Sequence, residues 1–114
     1  MPFISLQTTA AVTEGNKKSL TEKFGKAITL LPGKSESALM LYFEGGCAMA
    51  FKGDLSKPAA FVDVKVLGKS GGENYNKLTG AVTEIVAGEL SIAPDQIFVA
   101  YDEREHWGVN GKNY

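Results

Sequence analysis

The most unusual reactive group that this sequence could supply is the nitrogen of Pro2. The chain begins Met1-Pro2-Phe3, and an initiator methionine that precedes proline is commonly removed. The exposed proline would then carry a secondary amine, a base with no counterpart among the side chains. An α-amino group titrates near ~7.7–8.0, and burial beside a cation lowers that pKa. The start of the chain therefore predicts a general base, unless Pro2 only begins an edge strand.

Conventional catalytic sets are absent from the sequence. Gly68-Lys69-Ser70 ends like a phosphate-binding loop, but that motif requires glycine where Asp63 stands. The lone His106 lies in a charged segment, and Cys47 has no basic neighbour in sequence that would lower its pKa. One cysteine and one histidine are too few for a Cys/His metal site. We therefore expect neither a metal nor a cofactor.

The length and charge of the chain exclude several classes of protein. At 114 residues it is shorter than the ~150 residues usual for one domain, so a single domain over residues 1–114 is expected. The formal net charge is −1, which is not the basic footprint of a nucleic-acid binder. No apolar run approaches the ~20 residues of a membrane span, and residues 1–7 lack the basic and apolar regions of a secretory signal. We expect a cytoplasmic protein that binds neither nucleic acid nor membrane.

The first half of the chain has the pattern strand, helix, strand. Residues 3–8 form a short apolar strand, and Thr13 opens a helical pattern. The segment 31–34, Leu-Pro-Gly-Lys, ends this helix, and residues 38–43 form the second strand. The apolar stripe of the helix consists of Leu20, Phe24, Ile28 and Leu31.

The second half repeats this pattern. Residues 60–67 form a strand, Ser70 and Glu73 predict a capping box, and residues 97–101 form the last long strand. Segments 31–42 and 90–101 match at an offset of 59, which defines pseudo-repeats of about 2–56 and 60–114. The stripe of the second helix consists of Leu78, Val82, Ile85, Val86 and Leu90. The tandem β-α-β repeat predicts an α/β (α+β) fold, with a four-stranded mixed sheet and both helices on one face.

Two strands of this sheet are apolar along their whole length. Residues 39–43 are consecutively apolar, and residues 97–101 carry no charge, whereas a sheet with one solvated face should alternate. Two helices cover only one face, so the other face is expected to be covered by further copies of the chain in a closed oligomer. The alternative is a monomer with apolar residues at the sheet edges.

Seven short segments occur along the chain in a familiar order and spacing. They are the Met-Pro start, Gly33-Lys34, and residues 49–51, 58–60, 67–72, 94–98 and 107–111. Together they resemble the macrophage migration inhibitory factor branch of the tautomerase superfamily over essentially the whole chain. The resemblance implies a double β-α-β unit assembled as a homotrimer, with active sites at subunit interfaces around the amino-terminal prolines.

The same resemblance implies roles for individual residues. Pro2 would move a proton between carbon and oxygen of a small aromatic α-keto acid such as phenylpyruvate, or of a dopachrome-like compound. Lys34 would bind the substrate carboxylate and depress the pKa of Pro2, although a lysine after a helix end also suits the helix dipole. The backbone of Leu67 would contact the substrate. The apolar pocket would be lined by Phe3, Trp107, Val109 and Tyr114.

The sequence also departs from the family pattern. Phe98 and Ala100 stand where the family places a tyrosine and an asparagine from a neighbouring subunit. Phe98 would still line the substrate pocket, and the loss of two polar groups predicts weaker activity or a more apolar ligand. The family's Cys-x-x-Cys aligns with Ala59 and Val62, so thiol redox activity is not expected. Lys65 stands where a histidine is often found, and the resemblance gives it no role.

Two other functions fit the same resemblance. A cytokine-like protein could bind a receptor through the trimer surface and keep only a vestigial pocket, which would require export without a signal peptide. A small-molecule-binding module on a ferredoxin-like fold is the third interpretation, because fold alone does not define function.

Overall fold

Each half of the chain folds as a β-α-β unit in the computed structural model, which describes residues 1–114. The first unit contains β1 (Pro2–Thr8), α1 (Glu14–Ala27) and β2 (Met40–Glu44). The second contains β3 (Ala60–Leu67), α2 (Gly72–Leu90) and β4 (Ile97–Arg104). A hairpin of β5 (Gly108–Val109) and β6 (Lys112–Asn113) ends the chain. Neither helix combines the length and the apolar character that crossing a membrane would need.

The four long strands form one mixed sheet in the order β2-β1-β3-β4. Within each unit the two strands are parallel, and β1 and β3 join the units in an antiparallel pair. This arrangement confirms the predicted fold. It also places the start of β1 beside the end of β3, because Pro2 pairs with Val66.

The core lies between the two helices and one face of the sheet. Side chains alternate along β1 and β3, so every second residue is buried on the side of the helices. The helices contribute the apolar stripes that the sequence predicts. The largest fully buried side chains are Phe24, Ile4, Leu6, Leu20, Ile28, Leu31, Leu78, Val62, Val64, Val66, Val82 and Val86.

The other face of the sheet, the open face, is less apolar than the sequence suggested. Along β2 the exposed residues alternate with half-buried ones, which pack on the core. The open face exposes Met40, Tyr42 and Phe98 but also carries Asp63 and Lys65. Because each strand alternates, even a continuously apolar strand places only part of its apolar residues on this face. The expectation that further copies of the chain cover the open face stays a prediction.

Several predicted element ends need correction. The first α-helix ends at Ala27 and passes into a 3-10 turn at Ile28–Leu30, and a second 3-10 turn at Glu36–Ala38 delays β2 to Met40. The last long strand continues to Arg104, beyond the predicted end at residue 101. The sequence of residues 107–110 predicts a short terminal strand, but the structure has a two-stranded hairpin of β5 and β6 there.

The predicted capping box at Ser70 and Glu73 is wrong. The cap of α2 is Gly71, whose φ of 87° favours glycine and which provides no side-chain cap. The Ser70 carbonyl instead accepts a hydrogen bond from the Asn74 side-chain amide at 2.7 Å. A capping box does occur on α1, where Thr13 and Asn16 bond each other's backbone N–H groups.

One carboxylate joins the two helices on the surface of the molecule. Glu89 on α2 accepts hydrogen bonds from the Ser19 hydroxyl (2.6 Å), the Lys23 ammonium (3.0 Å) and the Asn16 amide (3.0 Å). These bonds, that of Ser19 first, lower the pKa of Glu89 to about 2. Because the folded-state pKa is depressed, the stabilisation is present above the ordinary glutamate pKa and is lost as the pH falls toward 2.

Replacing Glu89 by glutamine is expected to lower the free energy of unfolding by about 1–2 kcal/mol at pH 7, since hydrogen bonds to a charged group are lost. The difference in free energy of unfolding between Glu89→Gln and the wild type should shrink at pH 3, because the Glu89 carboxylate then stabilises the wild type less. Urea denaturation at both pH values measures this. Glu84→Gln is the matched control, because Glu84 is exposed on the same helix. An equal loss of stability in both variants would contradict the prediction.

Candidate active site

A cleft of about 660 Å³ opens beside the start of β1. Its walls come from four parts of the chain: the first three residues, the turn and strand start at 37–40, the middle of β3, and the beginning of the terminal hairpin. Most of its lining is apolar, and Lys65 is the one charged side chain. The lining residues are Met1, Pro2, Phe3, Ser37, Ala38, Leu39, Met40, Lys65, Trp107, Gly108 and Val109.

A tight turn places Lys34 near the amino-terminal end of this cleft. The Lys34 N–H donates to the Leu31 carbonyl at 3.1 Å, and Gly33 has a φ of 76°. Pro32 followed by a glycine with positive φ is the usual chemistry of a type II turn. Because Leu31 is fully buried, the turn is fixed to the core. The Lys34 ammonium then reaches across to donate to the Leu67 carbonyl at 2.8 Å.

The end of β3 holds the first residue of the chain in the same place. The Leu67 N–H donates to the Met1 carbonyl at 3.1 Å. Burial, and next the nearby Lys34 ammonium, lower the pKa of the Met1 α-amino group. The site thus combines an amino-terminal amine whose pKa is lowered, a fixed cation and an apolar cleft. With Met1 attached, however, the nitrogen of Pro2 is an amide and not a base.

The structure brings together most of the residues that the sequence singles out. Pro2, Phe3, Trp107 and Val109 line the cleft. Lys34 and Leu67 lie at its Met1 end, where each interacts with that residue.

Two predicted residues do not line the cleft within one chain. Tyr114 is 73% exposed, and its N–H donates to the Trp107 carbonyl at 2.8 Å. Phe98 lies in a separate apolar groove of about 290 Å³, on the β4 side of the sheet. There its ring makes edge contacts with Phe51 (centroids 5.0 Å apart) and Phe61 (6.4 Å). Phe98 therefore projects from an aromatic cluster at the surface, and its predicted role requires a second copy of the chain.

Sequence reasoning missed two side chains on the floor of the cleft. Phe3 pairs with Met40 on β2 and with Lys65 on β3, so all three lie side by side on the open face. Strand alternation gives the face of each residue. Which residues pair across neighbouring strands depends on the register of the sheet, and no local motif predicts that register. Nowhere in the chain do three or more His, Cys, Asp or Glu side chains form a group that could hold a metal ion.

A terminal amine, one fixed lysine and an apolar cleft lie together on a double β-α-β unit, the arrangement that the resemblance to the tautomerase superfamily implies. The family model of macrophage migration inhibitory factor matches residues 1–113. The chain therefore belongs to the macrophage migration inhibitory factor family.

Solved structures agree with this assignment. The chain is similar to MIF2 of Leishmania major, with a TM-score of 0.93 and 25% identity, covering 100% of this chain and 97% of that one. It is also similar to the homologue from Prochlorococcus marinus, with a TM-score of 0.86 and 26% identity over 97% of each chain. A fused 4-OT, described as a symmetric trimer, shares the fold with a TM-score of 0.86 at 17% identity, covering 97% of this chain and 94% of that one. Membership in this family supports a tautomerase-like role or a role like that of macrophage migration inhibitory factor.

Proposed function

We propose that this protein is a keto-enol tautomerase of phenylpyruvate-like α-keto acids that uses Pro2 as its acid and base after removal of Met1. The observation that carries the proposal is the position of the chain start. Pro2 lines the cleft, and the amine that precedes it already has a lowered pKa beside Lys34. An aromatic keto acid needs an apolar slot, one cation and one base, and this cleft offers all three.

Removal of Met1 would change the site in two ways. It would convert the Pro2 nitrogen from an amide into a secondary amine near Lys34. It would also release the Leu67 N–H, which now donates to the Met1 carbonyl. Lys34 and this freed N–H could then both hold the substrate carboxylate.

The chemistry requires one proton to move. The neutral Pro2 amine would take a proton from the carbon next to the keto group, as the electrons of that C–H bond form the enolate. The protonated amine would then give the proton to the oxygen, which yields the enol. The reverse sequence converts enol to keto acid, so neither direction consumes a cofactor.

A homotrimer would complete this site. The exposed Phe98, Met40 and Tyr42 are apolar surface that a neighbouring copy could cover. The fused 4-OT relative is described as a symmetric trimer. In such an assembly the aromatic cluster of one copy would present Phe98 to the cleft of the next.

The direct test is turnover. Protein shown by intact mass to lack Met1 is incubated with enol or keto phenylpyruvate, or with a dopachrome ester, and tautomerisation is followed by absorbance. We expect a rate above that of Pro2→Gly. Equal rates for both proteins would overturn the proposal.

Restoring the two missing polar groups is expected to raise activity. In Phe98→Tyr/Ala100→Asn, kcat/KM for phenylpyruvate should increase by about tenfold or more, because a single positioned donor can contribute on the order of 10²–10³ in rate. Phe61→Tyr is the matched control, since it adds a hydroxyl to the same aromatic cluster. An unchanged or lower kcat/KM in the double variant would show that these positions do not face the substrate.

A second candidate function is protein binding through the trimer surface, with a vestigial pocket. The apolar Phe98, at a position where the family carries a polar group, favours this candidate. Binding to a receptor would then survive Pro2→Gly, and the wild type would show no tautomerase activity above that of Pro2→Gly.

A further inference from the structure

The terminal hairpin places an asparagine and a glycine together in an exposed turn. Strands β5 and β6 pair as far as Val109 and Lys112, so Asn110 and Gly111 alone form the turn. Both residues are exposed, and their φ values of 54° and 80° are those of a type I′ turn. The N–H of Gly111 therefore lies outside the ladder of paired residues, next to Asn110.

An asparagine followed by glycine can react with its own backbone. The backbone nitrogen of the next residue attacks the side-chain amide carbon Cγ, because the two atoms are correctly spaced to close a five-membered ring. Glycine has no Cβ to hinder this approach, and its backbone reaches conformations that other residues avoid. Asparagine is counted among the thermolabile residues of proteins. Asn110 is the only asparagine of this chain that precedes a glycine.

The other asparagines are held more firmly. The side-chain amides of Asn16 and Asn74 each donate a hydrogen bond within the fold. Asn76 is exposed but lies in the middle of α2, where the helix fixes its backbone. Asn110 instead belongs to a hairpin whose strands have two residues each and which forms a sheet of its own. Because an isolated two-stranded hairpin is only marginally stable in water, its turn can open and bring the reacting atoms together.

We propose that Asn110 is a site of spontaneous deamidation, which converts it to aspartate and isoaspartate and opens the terminal hairpin. The Gly111 nitrogen loses its proton and forms a bond to Cγ of Asn110. The bond between Cγ and the side-chain nitrogen breaks, and that nitrogen takes up a proton and leaves as ammonia. Water then opens the resulting succinimide at either of its two carbonyl carbons. No group is oxidised or reduced, and water is the only other reactant.

The two products have different effects on the turn. Aspartate followed by glycine is accepted in a type I′ turn, so it adds only a charge. Isoaspartate carries the main chain through its side-chain carbon Cγ, which lengthens the turn by one carbon and disrupts the pairing of β5 with β6. Trp107 and Val109, at the start of this hairpin, line the cleft. The isoaspartyl form would therefore lose one wall of the cleft.

Ageing of the purified full-length protein tests this assignment. Samples are held at neutral and at mildly alkaline pH, and peptide mapping by mass spectrometry measures the exchange of NH₂ for OH at each asparagine. Isoaspartate is measured by methylation with an isoaspartyl methyltransferase. The fluorescence of Trp107, the one tryptophan of the chain, reports on the hairpin because its side chain is half-buried. Asn76 serves as the internal control, since it is exposed and precedes lysine.

We expect Asn110 to lose its amide at least about tenfold faster than Asn76, because a helical residue must open locally before it can react. The reaction should be faster at alkaline pH, since the attacking nitrogen must lose its proton. Isoaspartate should accumulate in parallel, and the Trp107 emission should move to longer wavelength. Equal rates at Asn110 and Asn76, or accumulation of isoaspartate with no change in emission, would overturn the proposal.

Two variants separate the change in the backbone from the change in charge. Asn110→Gly keeps a Gly-Gly type I′ turn without a side-chain amide, so its emission should not change on ageing. Freshly prepared Asn110→Asp carries the charge of the product without the extra main-chain carbon, and its emission should equal that of fresh wild type. An emission change in aged Asn110→Gly as large as that of the wild type would also overturn the proposal. None of these measurements uses tautomerase activity, so this inference and the proposed function fail separately.

Discussion

Adding one alanine between Met1 and Pro2 is expected to abolish tautomerase activity while leaving the fold intact. Removal of Met1 would then expose alanine, and the Pro2 nitrogen would remain an amide. Because a general acid or base typically contributes 10²–10⁴-fold, kcat/KM for phenylpyruvate should fall by about that factor. Absorbance assays on protein of confirmed intact mass measure the loss.

The control for this insertion is Pro2→Gly. Its amine is primary and lacks the ring, but it is still a base at the chain start, so it should retain more activity than the insertion variant. Thermal unfolding of both proteins checks that β1 still pairs with β2 and β3. Activity in the insertion variant equal to that of the wild type would show that the amine at Pro2 is not the base.

Replacing Lys34 by methionine should raise KM for phenylpyruvate by about tenfold or more, since a hydrogen bond between a cation and a carboxylate is lost. The loss of the Lys34 charge should also change the pKa of the Pro2 amine. The Lys34 ammonium now helps to lower the pKa of the amine in this cleft. Without it, the pKa of Pro2 should rise and the acid limb of the kcat/KM profile should move to higher pH, because only the neutral amine can accept a proton.

Two variants separate these effects from structural damage. Lys34→Arg keeps the charge and should keep the acid limb, although its geometry differs. Lys77→Met removes a lysine elsewhere and should change neither KM nor the pH profile. A Lys34→Met enzyme with unchanged KM and an unchanged profile would contradict the role of this residue. The hydrogen bond from Lys34 to Leu67 is also lost, so a modest fall in stability is expected.

Local sequence patterns predicted the elements of the fold well. The two apolar stripes have helical spacing, and most of their residues are buried against the sheet. Ile85 and Leu90 are only partly buried, and Ile28 and Leu31 lie just beyond the end of α1. The β-α-β repeat was sufficient to predict a mixed sheet with helices on one face. The ends of the helices and strands were less predictable, because competing hydrogen bonds of similar strength decide where an element begins. The cap of α2, for example, is Gly71 and not Ser70.

The cleft could be predicted only in part. Pro2 was found because it stands at the chain start, which is a local signal. The role of Lys34 came from the resemblance to the family, because a lysine after a helix end by itself only suits the helix dipole. Met40 and Lys65 were not assigned, because their place beside Phe3 follows from the strand register across the whole sheet. The terminal hairpin was predicted only as a single short strand, although its turn is a local signal. Its Asn110-Gly111 turn, with both φ values positive, is the type I′ signal of a tight hairpin.

The pH titration of the Pro2 nitrogen tests the central claim most directly. Protein that lacks Met1 is labelled with ¹⁵N-proline, and the Pro2 resonance is followed against pH alongside the kcat/KM profile. We predict that the resonance titrates with a pKa below the ordinary α-amino value of about 7.7–8.0 and that this pKa coincides with the acid limb of the profile. A resonance that does not titrate, or a pKa separate from the acid limb, would contradict the assignment of Pro2 as the catalytic base.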